Sequence, residues 1–264
     1  MRLIARDPSR PPDSVRDNAD AIAGSHADST VLDTALVGAD ALFVLIPPNF
    51  RAPDATDHYL AFAQPIAAAV QKHGVDRVVA VSSLGRGYTG PSGLLGSAWR
   101  MDSVLESSGA AYRSLQPPFF MENLLHQTQS IRDHGILELP AEPGAPFATV
   151  ATADIARVAA GLLADRSWTG DAGVLVRAPQ DHTPAELAQI ISDAVHGPVS
   201  YRQTSMADYR DQLASFGASQ AMAQAMVEMA EAQADGVYPP ADGTGGGTTF
   251  TEWVDAVLAP AITA

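Results

Sequence analysis

The sequence predicts an α/β fold, a doubly wound parallel sheet with a smaller, mainly helical C-terminal lobe. Short runs rich in Val, Ile and Leu alternate with Ala-rich amphipathic stretches, the rhythm of strands buried on both faces between crossover helices. Gly38, Gly74 and Gly109 each stand where a helix should stop before the next strand starts. Beyond Pro117 this alternation fades and helical stretches dominate.

Strands are expected near residues 2–5, 41–46, 77–81 and 112–116, with helices near 31–37, 55–73 and 94–108 between them. Further helices are expected near 152–165, 184–196 and 206–234, separated by short apolar runs at 173–176 and 199–203. Residues 237–249 are rich in Pro, Gly, Asp and Thr and read as a surface loop before a last helix containing Trp253. The division this suggests is a sheet domain over 1–117 plus about 145–178, and a C-terminal lobe over 118–144 and 179–264.

A chain of 264 residues, 46% hydrophobic and 17% charged, can bury a substantial core and lies far from disordered compositions. With 16 basic against 30 acidic residues its formal charge is −14, a field that repels nucleic acid and anionic membrane surfaces. No cysteine is present, which excludes disulfides, thiolate metal sites and cysteine nucleophiles. The apolar run 41–48 is far too short to span a bilayer, and the expected location is the cytoplasm. The expected partner is a small molecule, and the oligomeric state is not readable from the residues.

Several motifs carry chemistry. Arg6 ends the first strand before a turn set by Asp7 and Pro8, where a guanidinium can grip a phosphate in a bidentate way. Ser82 and Ser83 follow a buried strand and are expected at the carboxyl edge of the sheet, where open α/β sheets bind ligands, although a turn-forming serine pair reads almost as well. Gly243, Gly245, Gly246 and Gly247 lack the preceding strand of a phosphate cradle and read as loop. Tyr88 is followed four residues later by Ser92, and Lys72 is the one lysine, so a Tyr-x-x-x-Lys proton relay is absent. The seven histidines have no metal-pair spacing and read as surface or cap residues; no metal site is expected. No Gly-x-Ser-x-Gly elbow supports hydrolase chemistry.

Taken in order, these segments resemble the NmrA-like branch of the atypical short-chain dehydrogenases/reductases, a family with a Rossmann-like fold. The resemblance rests on Leu3-Ile-Ala-Arg-Asp-Pro-Ser9, Ala35-Leu-Val-Gly-Ala-Asp40, His73-Gly-Val-Asp-Arg-Val-Val79 and Val81-Ser-Ser-Leu-Gly85. It continues through Leu105-Glu-Ser-Ser-Gly109, Phe119-Phe-Met-Glu-Asn123 and Ala153-Asp-Ile-Ala156. It implies an NAD(P)H-dependent oxidoreductase passing hydride to a quinone, azo or related acceptor, with NADP preferred over NAD. By the same resemblance Arg6 contacts the adenosine phosphate, Asp28 the adenine region, and Pro47 the cofactor. Ser82 would stand near the nicotinamide, in a pocket shaped by Pro117, Phe119 and Asn123, while Ser83, Trp99, Arg100 and Met121 line the substrate side.

The departures are specific. Relatives open with a strand and a Gly-x-x-Gly-x-x-Gly turn whose amides hold the pyrophosphate, and this chain starts at the following strand. Where relatives with a proton-transferring lysine carry it, the nearest cation is Arg100, which cannot give up a proton at neutral pH. The absent strand would be central, and its loss leaves two interior edges whose buried orphan groups cost about 1–3 kcal/mol each. Two remedies are expected: a polypeptide that begins about 25 residues upstream, or direct closure of the two neighbouring strands. Two other functions share the same residues, a non-catalytic redox sensor binding NAD(P) and a cofactor-less remnant of the fold.

Overall fold

The computed structural model describes residues 1–243 and 246–264; Gly245 of the glycine cluster lies outside the described residues. The first half runs β1 (Arg2–Ala5), α1 (Asp13–Arg16), β2 (Asp20–Ala23), α2 (Ser29–Leu36), β3 (Ala41–Val44), α3 (Ala55–His73), β4 (Arg77–Val81), α4 (Leu94–Glu106) and β5 (Ala111–Gln116). Then come β6 (Phe119–Phe120), α5 (Thr128–His134), β7 (Ile136–Leu139), β8 (Thr149–Val150), α6 (Thr152–Ala164) and β9 (Asp171–Leu175). The chain ends with α7 (Pro184–Val195), β10 (Ser200–Gln203), α8 (Met206–Ser215), α9 (Gln220–Ala234), α10 (Phe250–Trp253) and α11 (Ala259–Thr263).

The main sheet has the order β3-β4-β5-β9, all parallel. β4 reads Arg-Val-Val-Ala-Val without polar alternation because both its faces are covered. On one face Ile66 and Val70 of α3 and Met101 and Leu105 of α4 pack on Val78 and Tyr112. On the other, Ile155 and Ala159 of α6 pack on Val79, Leu115 and Val176. Burying each such side chain contributes about 1.5–3 kcal/mol, so this three-layer core holds the sheet edge rigid. Helix ends follow local chemistry: Asp54 caps α3 at Asp57 N, and Gly74 ends it with φ 63°.

β1 and β2 form a separate parallel pair, and β1 and β3 are not joined. Direct closure of the neighbouring strands is therefore not what the chain adopts. The two sheets are held together through α2: Ile4 packs with Leu32, Leu36 and Val44, and the Arg2 guanidinium donates to Ala35 O at 2.9 Å. In and just beyond β3 one face is open, with Phe43 40% and Leu45 51% exposed while Val44 and Ile46 are buried.

The C-terminal lobe is built on Leu124, Leu137, Leu187, Ile191, Phe250, Trp253 and Leu258. Helices dominate it, but it also holds the parallel pair β7–β10, and β6 pairs with β8. The single helix expected over 206–234 is two helices. Gly217 takes φ 87°, and Ser219 caps the second helix by accepting Met222 N, so the break is a C-terminal glycine followed by a fresh start. Neither β2 nor β7 is expected from the sequence: each is four residues long, and Asp-Ala-Ile-Ala carries almost no strand signal.

Candidate active site

Residues following the main-sheet strands gather at one carboxyl edge. Ser82 N donates to Leu115 O at 2.9 Å and Leu84 N to Pro117 O at 3.2 Å, so Ser82 and Pro117 lie side by side beyond β4 and β5. Val44 is level with Ala80 at the end of β3, and Pro47, exposed, follows three residues on. The Pro47 carbonyl accepts from His58 Nε2 at 3.0 Å. Arg6 follows β1 on the far side of the unpaired interval, exposed and without a hydrogen bond among the described residues. His26 joins the two groups: it hydrogen-bonds the Leu45 backbone, stacks 4.6 Å from Phe62, and feels the Arg6 charge. Burial, aided by Arg6, lowers its pKa, and its Nε2 is buried with no partner among the described residues. It is thus neither a surface nor a cap residue, a correction to the expectation from histidine spacing.

Asp28 is exposed, and its carboxylate is engaged as the α2 cap, accepting Thr30 N at 2.8 Å and Val31 N at 3.4 Å.

Beneath Ser82 is a buried polar cluster. Asp102, on α4 and 0% exposed, accepts the Ser82 hydroxyl at 2.7 Å and Ser114 Oγ at 2.9 Å on Oδ2, and the Tyr112 hydroxyl at 2.6 Å on Oδ1. Arg86 stands 4.0 Å from Asp102 and is bonded to Glu106. Burial raises the Asp102 pKa despite these donors, and burial raises that of Tyr112 as well. Sequence reasoning singled out Ser82 but missed Asp102. The usable signal was an aspartate at an inward position of an otherwise apolar helical stripe, beside Met101 and Leu105.

Ser83 is buried on a different side of the edge. Its carbonyl accepts Trp99 Nε1 at 3.1 Å, and its Oγ lies 3.5 Å from the Tyr238 hydroxyl, which also accepts Gln233 Nε2 at 3.2 Å. Gly85, at φ +89°, is required here: a Cβ would meet Val237 Cγ2 at 2.6 Å and Val237 O at 2.8 Å. Of the residues expected on the substrate side, the fold brings Ser83 and buried Trp99 together, while Arg100 is exposed. Met121 is fully buried in the C-terminal core. Phe119 packs 5.0 Å from Phe147, and Asn123 is exposed on the short 3₁₀ segment Met121–Gln127.

Two clefts of about 460 and 540 Å³ lie in the C-terminal lobe, and neither touches Ser82 or Pro117. In the smaller, Arg202 is paired with Glu138 at 2.7 Å. The strand ends are taken as the candidate site because Ser82 and Pro117 meet there, at the carboxyl edge of a parallel sheet. Among the described residues no group of three or more His, Cys, Asp or Glu could hold a metal ion, and no helix is long and apolar enough to cross a membrane.

Residues 1–166 match the family model described as NAD(P)H-binding. The chain belongs to this family. The NAD(P)H azoreductase of Xenophilus azovorans is 27% identical over 229 residues, covering 87% of this chain and 77% of that protein. Among solved structures, the NADPH-dependent quinone oxidoreductase of Escherichia coli in complex with NADPH superposes with a TM-score of 0.80 at 21% identity, covering 97% of this chain and 89% of that one. A doubly substituted NmrA superposes with a TM-score of 0.69 at 15% identity, covering 97% and 87%. The Rossmann-like parallel sheet implied by the motifs is thus shared with these structures, NmrA among them.

The residues present fit the two ends of a nicotinamide dinucleotide. A free guanidinium at Arg6 suits a phosphate at one end, and the Ser82 oxygen beside Pro117 suits a polar ring substituent at the other. Between them, no strand lies in the interval from β1 to β3 among the described residues.

Proposed function

We propose that the chain is an NAD(P)H-dependent oxidoreductase that passes hydride to a small quinone, azo or related acceptor in the cytoplasm, and that it prefers NADP to NAD. One observation carries the reading: Ser82 and Pro117 lie side by side at the carboxyl edge of a parallel sheet, and an exposed arginine without a hydrogen bond among the described residues follows β1. Arg6 holds the adenosine phosphate, the backbone around Asp28 borders the adenine, and Ser82 meets the nicotinamide end. Pro117, Phe119 and Asn123 shape that pocket, with Ser83, Trp99 and Arg100 towards the acceptor, while Met121 stays within the C-terminal core. Residues 1–117 with about 145–178 form the cofactor domain, and 118–144 with 179–264 the substrate-side lobe.

A bound NAD(P)H supplies the hydride. The chain's own part is to position and to shield. Burial of Ser83 and Trp99 at the edge excludes water from the acceptor side, and Tyr238 keeps its proton because burial raises its pKa. The azoreductase and quinone oxidoreductase names of the relatives support this choice of acceptor.

The test is a fluorescence titration of NADPH and NADH against the protein, followed by turnover of menadione and methyl red. Saturable binding with NADPH favoured, and NADPH oxidation dependent on acceptor, are the expected results. Absence of dinucleotide binding at millimolar concentration overturns the reading.

A further inference from the structure

We propose that Asp102 is a positioning residue that accepts the Ser82 hydroxyl in a hydrogen bond and thereby presents the Ser82 oxygen as a hydrogen-bond acceptor to the nicotinamide end of the cofactor. The inference rests on the cofactor reading above.

The argument is one of proton direction. An ionised carboxylate accepts only, so the three hydroxyls around Asp102 all direct their protons inward: Ser82 at 2.7 Å, Ser114 at 2.9 Å and Tyr112 at 2.6 Å. Tyr112 and Ser114, 0% and 1% exposed, can serve no ligand; they satisfy the buried charge. Ser82 is the half-buried member, at the carboxyl end of β4 beside Pro117. Its single proton is committed to Oδ2, so towards the crevice it offers lone pairs alone. The groups at the nicotinamide end able to answer an acceptor are the carboxamide N–H₂ and the ribose hydroxyls. A carbonyl needs a donor, and Ser82 cannot supply one while its hydroxyl donates to Asp102.

Asp102→Asn tests this with little change of shape. The amide carries N–H donors where the carboxylate had only acceptors, so it can donate to Ser82 and free the serine proton to point outward. The hydroxyl stays while its polarity reverses. NADPH and 2′,5′-ADP, which lacks the nicotinamide half, are titrated against wild type, D102N, S82A and the double variant. The expected result is a loss of NADPH affinity of about 10-fold in D102N and in S82A, with no further loss in the double variant. Affinity for 2′,5′-ADP is expected to stay within about 2-fold throughout. Equal weakening of both ligands by D102N, or additive losses in the double variant, would mean a merely structural role and overturn the proposal.

A second measurement does not depend on cofactor or on D102N folding. In protein carrying ¹³C-labelled aspartate carboxyls, the Asp102 resonance is titrated in wild type and S82A. Ser114, Tyr112 and Arg86 face this carboxyl in both proteins. Loss of the Ser82 donor is expected to move the midpoint upward; an unmoved midpoint refutes the link between Asp102 and Ser82. If wild type binds neither NADPH nor 2′,5′-ADP, the cofactor reading fails, and with it the proposal, whatever the carboxyl titration shows.

Discussion

The loop that follows α9 is fastened by one buried carboxylate and one partly buried one, and a single methyl group should loosen the first of them. Asp154 accepts Thr248 N at 2.6 Å and Thr248 Oγ1 at 3.1 Å and is paired with Arg157. Asp181 accepts Ala241 N at 2.9 Å and is paired with Arg177, whose guanidinium also donates to Pro239 O at 2.7 Å. Gly247 lies between these anchors, and a Cβ there would meet Arg177 O and Asp154 Oδ2, each at 2.8 Å. The first is backbone and cannot yield, and the second can move only by giving up its bonds to Thr248. Overpacking of this kind costs about 1–3 kcal/mol. Taking about 2 kcal/mol, Gly247→Ala should lower Tm by roughly 4–8 °C in a protein of this size. Gly246→Ala is the matched control, since a Cβ there meets nothing within 4 Å among the described residues. Thermal unfolding of the two variants side by side by circular dichroism decides the matter. Equal Tm values for Gly246→Ala and Gly247→Ala would refute the packing argument.

Three further outcomes are expected. Arg6→Gln should weaken NADPH binding by about 10–100-fold while leaving NADH nearly unchanged, measured by fluorescence titration, because the exposed guanidinium is the phosphate ligand proposed here. For Asp102 the folded pKa lies above the unfolded value of 3.8, mainly through burial. The folded state therefore binds this proton more tightly, and the associated stability is complete below pH 3.8 and lost as pH rises through the raised folded value. Tm measured upward from pH 4 should accordingly fall less in D102N than in wild type, and parallel curves would contradict this. Phe43 and Leu45, 40% and 51% exposed on one face in and just beyond β3, should promote concentration-dependent association. Phe43→Lys is expected to reduce it, as read by light scattering across a dilution series.

Where local patterning carried the structure, the sequence was a sufficient guide. The helix-glycine-strand joints at Gly74 and Gly109 and the doubly buried run of β4 are properties of consecutive residues, and they identified the sheet, its parallel sense and the edge on which Ser82 and Ser83 stand. Short strands such as β2 were not legible, because four residues of mixed burial owe their conformation to a neighbour rather than to propensity. The break at Gly217 was hidden for a related reason, since helical periodicity on both sides of it continues in the sequence while the backbone turns.

The site divides in the same way. Its strand-end positions follow from composition and order along the chain, and the family follows from the same motifs. Only the tertiary structure could bring Asp102 under Ser82, Tyr238 to Ser83 and His26 to Leu45, because each pair joins different elements of the fold and depends on how helices seat on the sheet. The state of the interval between β1 and β3 was equally a matter of three dimensions. Sequence order says which strands should be neighbours, but whether backbone groups pair depends on the helices α2 and α3 that pack across them.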